Sequence, residues 1–165
     1  MAATPRSGGH DHPSSTKDTE LVERFIRAPA EKIFDLLADP ARHRDIDGSG
    51  TVQGSPEGSR RLAKGDRFGM DMKQGFGYAM VSDVVEFEEN RLIAWQSNSP
   101  IKLMGLFVGG RIWRYELEPV EGGTQVRETW DISKEKIKVM VRPLRAKTKA
   151  NMEKTLARIE EIVTA

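Results

Sequence analysis

Between Ser133 and Val163, apolar residues recur at Ile137, Val141, Leu144, Met152, Leu156, Ile159 and Val163. Steps of three, four and eight put them on one stripe of a helix, with Lys and Arg on the other faces. A helix of that length with one apolar stripe must lie on something, and most of the preceding chain reads as alternating strands. The chain is thereby confined to an α+β architecture in which a C-terminal helix covers one face of a sheet. Thr148 falls within the stripe between Leu144 and Met152, so a small polar group faces inward there. Pro143 lacks a backbone donor and crowds the carbonyl of Val139, which predicts a kink or break at that point.

The 165 residues suffice for a single domain with a real core, here placed over 19–165. A net charge of +1 gives no general attraction to nucleic acid or to an anionic membrane. With no cysteine there are no disulfides, thiolate metal sites or thiol nucleophiles. No apolar run approaches the roughly 18 residues of a membrane span, so no stable membrane insertion is expected. Met1 to Thr16 lacks the basic-then-apolar design of a signal peptide, and a cytoplasmic location is the expectation. Residues 1–18 are rich in Gly, Ser, Pro and Thr and read as a disordered tail. His10, Asp11 and His12 within it are read as solvated rather than as a metal site, since no third ligand is near.

Glu20 to Arg27 alternates as a strand, and Ala28-Pro29 opens a helix whose buried side is Ile33, Phe34 and Leu37. A second short helix follows over Ala41 to Asp45, and the turn Gly48-Ser49-Gly50 leads into a strand near Thr51 to Gln53. After a polar loop from Ser55 to Gly65, Asp66 to Lys73 presents Phe68, Met70 and Met72 on one face. Tyr78–Glu88 and Arg91–Asn98 pair around Glu89-Asn90, with two candidate inner faces. One holds Val84, Ile93 and Trp95; the other holds Val85, Phe87, Leu92 and Ala94. A two-residue turn at Glu121-Gly122 sets Leu117 opposite Val126, Tyr115 opposite Glu128 and Trp113 opposite Trp130.

Pro100 to Gly110 is apolar and glycine-rich where a loop belongs. It reads as a lid carrying Leu103, Met104, Leu106 and Phe107, as a membrane-touching tip, or as continued strands with a glycine bulge.

The stretches Arg27-Ala28-Pro29-Ala30-Glu31-Lys32-Ile33-Phe34-Asp35-Leu36-Leu37-Ala38-Asp39-Pro40, Asp47-Gly48-Ser49-Gly50 and Asn90-Arg91-Leu92-Ile93-Ala94-Trp95 resemble the START-like (SRPBCC, Bet v 1-like) superfamily. With the order of elements over about 20–163, they look most like its bacterial polyketide cyclase/dehydrase branch. The resemblance implies a helix-grip fold, in which a curved antiparallel sheet of about seven strands surrounds the long C-terminal helix. Two short helices follow its first strand. It also implies an apolar cavity for lipids, polyketides, sterols or aromatic compounds, with cyclisation or dehydration in some members. No catalytic signature accompanies it.

On that expectation the cavity wall consists of Phe68, Met70, Met72, Trp95, Trp113, Tyr115, Trp130, Thr148 and Met152, with Glu128 among them and Ala150 leaving room on the helix. By the period of two, Glu128 points inward with Val126, Trp130 and Ile132, and an inward carboxyl must be paired, hydrogen-bonded or protonated. Tyr115 and Arg111 are candidate partners, Tyr115 the nearer by register. Glu128 and Tyr115 are the candidate acid/base pair. His43 is read as a surface histidine, with an acid/base role at the cavity mouth as the alternative.

Lys134, Lys136, Lys138, Arg142, Arg145, Lys147 and Lys149 form a solvated helix face or a steering patch for anions. No aromatic is interleaved with them, so nucleic acid is not a partner. No cofactor motif is present. The first functional reading is a binder or carrier of a hydrophobic small molecule. The second is a polyketide cyclase/dehydratase-like enzyme, and the third a protein- or membrane-interaction module using the same groove.

Overall fold

The computed structural model describes residues 14–165. The expected tail therefore lies mostly outside the described residues, and His10, Asp11 and His12 with it. Seven strands make one antiparallel, curved sheet. They are β1 (Thr19–Ile26), β2 (Val52–Gly54), β3 (Arg67–Gln74), β4 (Phe76–Glu88), β5 (Leu92–Asn98), β6 (Gly109–Val120) and β7 (Gly123–Asp131). The spatial order β1-β7-β6-β5-β4-β3-β2 is a meander from β2 to β7, with β1 added at the free edge of β7.

The β6–β7 hairpin has the register that its alternation demands: Leu117 faces Val126, Tyr115 faces Glu128 and Trp113 faces Trp130. The two candidate inner faces of β4 and β5 have a local cause. Val84 pairs with Trp95, but Glu86 then pairs with Ala94, so Val85 is an extra residue in the ladder. A bulge of one residue reverses every later side chain. Val84 and Phe87 consequently both face the core, and Phe87 meets Phe34 edge-on at 5.4 Å. On the outer face Ala94 is also buried, beneath the bidentate pair that Arg114 makes with Glu86 at 2.6 and 3.0 Å.

After β1, helix α1 (Ala30–Leu37) buries Ile33, Phe34, Leu36 and Leu37. A 3-10 turn over Pro40–Arg42 begins where the Asp39 carboxylate accepts the Ala41 N–H at 3.0 Å, and it runs into α2 (His43–Ile46). These are the two short helices that the sequence calls for.

The C-terminal helix differs from its expected span. It starts at Lys138, not Ser133, and comes in pieces: α3 (Lys138–Val141), a 3-10 turn over Arg142–Leu144, and α4 (Arg145–Thr164). The interruption falls at Pro143, as its missing donor requires. Residues 133–137 are not helical because Glu135 turns inward. Its carboxylate accepts the backbone N–H groups of Gly109 at 3.0 Å and Arg111 at 3.1 Å, which ties this segment to β6. Leu144, expected in the buried stripe, is largely exposed, and so is Ala150.

Helix α4 is fastened to β1 by charge. Buried Glu20 accepts from Arg145 at 2.8 Å and lies 3.7 Å from Lys149, while Arg24 donates to Glu160 at 2.6 Å. Lys138 and Arg142 both reach Asp18 at 3.1 Å. Four members of the basic run are thus engaged in ion pairs rather than forming an open steering patch. Burial alone would raise the Glu20 carboxyl, but Ser15, Arg145, the Leu21 N–H and Lys149 outweigh it and hold the pKa at about 2.

At the other contact of α4, the Gly48 N–H donates to Thr155 Oγ1 at 2.9 Å. A Cβ on Gly48 would overlap the Asn151 carbonyl oxygen, so only glycine lets the α2–β2 turn approach this closely. Gly48→Ala should therefore cost about 1–3 kcal/mol of unfolding free energy in urea titrations, the range of an overpacked core. Gly77→Ala, where the nearest atom to a new Cβ is 4.0 Å away, should change it by less than about 0.5 kcal/mol.

Candidate functional site

Between the sheet and α4 lies a cavity of about 580 Å³, within the usual range for small-molecule sites. Nine of the ten expected wall residues line it: Phe68, Met70, Met72, Trp95, Trp113, Tyr115, Glu128, Thr148 and Met152. Trp130 does not. It pairs in register with Glu20, whose carboxylate reaches Arg145, so it lies beneath the start of α4 on the filled side of the face. Its ring is buried there, with Nε1 unpartnered.

Of the alternatives for Pro100 to Gly110, the loop form is the one found over residues 99–108. The segment from Ser99 to Val108 is a loop with a 3-10 turn over Met104–Leu106, not a pair of extended strands. Leu103, Met104, Leu106 and Phe107 point to solvent, and only Val108 of this loop reaches the cavity wall.

The floor of the cavity is aromatic. Trp95 stacks on His43 at 4.8 Å and on Tyr115 at 5.5 Å, and Phe68 meets Trp95 edge-on at 5.8 Å. His43 is therefore a buried wall residue, contrary to its reading as a surface histidine. Its short helix packs inward, and its Nε2 lies 2.8 Å from the Leu37 carbonyl oxygen. Only a protonated Nε2 can donate to that carbonyl, which leaves Nδ1 as an acceptor. Burial outweighs the Leu37 carbonyl and the charges of Asp39 and Asp47, and holds the imidazole below its ordinary pKa. At neutral pH the ring is uncharged.

Glu128 is 2 % exposed. Tyr115 donates its hydroxyl to Oε1 at 2.8 Å, while Oε2 has no partner. Arg111 is not a partner: it sits 3.3 Å from the buried Glu135 carboxylate. Burial raises the Glu128 carboxyl, the Tyr115 hydrogen bond pulls it back in part, and the charge of Asp47 raises it again, to about 8. Burial, together with the Glu128 carboxyl, likewise lifts the Tyr115 phenol well above its usual value. At neutral pH the site thus holds two neutral acids in series. The phenol donates to one carboxyl oxygen, and the other oxygen is the place for the carboxylic proton.

Polar wall residues that the sequence reading missed include Ser82 and Ser97, whose hydroxyls lie 3.0 Å apart, and Asn151 and Thr155 on α4. Their signals were present. Ser82 and Ser97 lie two residues from Val84 and Trp95 on their strands, and Asn151 and Thr155 continue the helical face of Thr148. Among the described residues, no group of three His, Asp or Glu side chains is placed to hold a metal ion. No helix there is long and apolar enough to cross a membrane.

A curved antiparallel sheet around a C-terminal helix, with a cavity between them, defines the helix-grip, START-like class. The chain belongs to the family described as polyketide cyclase / dehydrase and lipid transport, whose model matches residues 21–164. It is similar to the uncharacterized protein Rv0088 of Mycobacterium tuberculosis, at 37% identity over 108 residues. That match takes in 64% of this chain and 44% of that protein, so the chain spans less than half the length of this relative. Protein NE0264 from Nitrosomonas europaea has a similar fold, with a TM-score of 0.70 at 13% identity over 92% of this chain and 97% of that one. Protein Ms6760 from Mycobacterium smegmatis gives 0.65 at 17% identity over 90% and 92%.

The raised carboxyl of Glu128 has a thermodynamic consequence. Between pH 4.5 and about 8 the folded state keeps a proton that the unfolded state has lost. This group therefore lowers stability as pH rises through that window, by up to about 1.4 kcal/mol per pH unit. Glu128→Gln should remove the slope and gain on the parent protein steadily from pH 5 to pH 8 in urea titrations. Glu20→Gln should do the opposite. The depressed Glu20 carboxyl contributes stability above pH 4.5 that is lost as pH falls toward about 2, so the variant should be destabilised at pH 7 and approach the parent at low pH.

Proposed function

We propose that the protein binds or carries a hydrophobic small molecule, a lipid, polyketide or aromatic compound, and holds it between sheet and helix. The observation that carries this reading is the cavity of about 580 Å³, walled by aromatic and methionine side chains, with one buried carboxyl whose second oxygen lacks a partner. Methionines such as Met70, Met72 and Met80 suit a wall that accepts varied shapes. An unpartnered donor in an apolar space is costly, and a ligand carbonyl or ether oxygen would satisfy it. Glu128 then acts as a hydrogen-bond anchor oriented by Tyr115, and its proton need not transfer.

A second reading, a cyclase or dehydratase acting on a polyketide-like substrate, draws on the same carboxyl. A group with a pKa of about 8 is suited to deliver a proton near neutral pH. His43 Nδ1, on the same wall, is the available acceptor.

Native mass spectrometry of the freshly purified chain tests the binder reading, through a co-purified adduct of apolar character. An environment-sensitive apolar dye supplies the affinity scale. Thr148→Phe, which narrows the cavity from α4, should weaken dye uptake about tenfold or more with little change in melting temperature, and Glu128→Gln should weaken it less than tenfold. Unchanged dye uptake in Thr148→Phe would contradict the reading. For an identified ligand, loss of its conversion in Glu128→Gln with binding intact would establish the enzyme instead.

A further inference from the structure

The antiparallel order brings one end of every strand to the same edge of the molecule: the starts of β1, β2, β4 and β6 and the ends of β3, β5 and β7. The loop 99–108 and the segment 132–144 emerge there side by side. Lys136 joins them, donating from its backbone N–H to the Gly109 carbonyl at 3.2 Å and from Nζ to the Gly105 carbonyl at 2.7 Å. The same two segments supply Val108 and Leu144 to the cavity wall, so this edge is the cavity's mouth.

Exposed large apolar side chains concentrate at this edge. Among the described residues, all but Phe25 and Val120 lie in the β3–β4 turn, the loop 99–108 or the segment 132–144. Phe76, Leu103, Val139 and Met140 are each 70% exposed or more, and large apolar side chains grouped in this way mark an interaction surface.

The charge at this edge is mainly positive, although Asp131 at the end of β7 also lies there and accepts the Ser133 N–H at 2.8 Å. No acidic residue occurs from Ser99 to Val108 or from Lys136 to Met152. Nearby Glu135 is buried against β6, and Asp18 is held by Lys138 and Arg142. Lys102, Lys134 and Lys136 are exposed and make no ion pair among the described residues.

We infer that this edge docks the protein on the surface of an anionic phospholipid bilayer. The apolar loop and α3 would enter the headgroup boundary, and the lysines would meet lipid phosphates. Apolar side chains flanked by lysines match the two components of interfacial binding, buried apolar area and attraction to anionic headgroups. A second copy of the chain fits less well, because a twofold contact would set these lysines against their own copies. Docking here would also turn the cavity mouth toward the bilayer, giving an apolar ligand a path that avoids water.

Flotation with phosphatidylcholine vesicles, with and without phosphatidylglycerol, tests the proposal on the full chain. The protein should float with the anionic vesicles, remain below with neutral ones, and dissociate as salt is raised. Leu103→Asp/Phe107→Asp should lower partitioning about tenfold or more, with circular dichroism and melting temperature unchanged. Lys102→Glu/Lys134→Glu should abolish the preference for anionic lipid. Equal behaviour with and without anionic vesicles would overturn the proposal. So would lipid-independent dimerisation that Leu103→Asp/Phe107→Asp abolishes, which would assign the patch to self-association.

Discussion

One helix cannot cover a sheet of this width. Seven strands about 4.8 Å apart make a face roughly 29 Å across, whereas a helix with its side chains is about 10 Å thick. The chain fastens α4 near one edge, through Glu20 to Arg145 and Arg24 to Glu160 on β1. It fills the far end of the face with α1 and α2. What remains, over β3 to β6, is the cavity. Its large side chains, Phe68, Met70, Trp95 and Trp113, wall the space without filling it. The cavity is thus a consequence of the element list, and the ion pairs at β1 determine on which side it opens.

Inside that space the two inward carboxyls of the sheet have opposite fates. Glu20 lies under α4, where Arg145 and Lys149 keep it ionised. Glu128, one strand over, has no cation in reach. Arg111, the nearest candidate by sequence, is held by Glu135, and the phenol of Tyr115 takes its place. A buried carboxyl facing only a hydroxyl keeps its proton. The difference between a structural ion pair and a neutral hydrogen-bonding group in the cavity comes from where one helix crosses the sheet.

Much of this was legible in the residues. Strict alternation in β6 and β7 gave the register that brings Tyr115 to Glu128, and the stripe through Met152, Leu156 and Ile159 gave the covering helix. Three features were not legible, each for a physical reason. The bulge at Val85 inserts one residue into a ladder whose period is two, so both faces of β4 look apolar. Glu135 sits among lysines with nothing nearby in the sequence to mark it as buried, but its role is to bond backbone N–H groups of β6 far away in sequence. His43 looks like a surface residue between two arginines, whereas the turn of α2 sends its ring inward and theirs out. Local pattern reports which way a side chain points, but not which distant group meets it.

At physiological pH the Glu128 carboxyl is neutral and presents its free oxygen to the cavity. A carbon-13 NMR titration of the glutamate side-chain carboxyls, with Glu128→Gln to assign the resonance, tests this most directly. Glu128 should titrate with a midpoint of about 8, shifting upward when an apolar ligand with a carbonyl acceptor fills the cavity. A midpoint in the ordinary carboxylate range, unmoved by ligand, would contradict this.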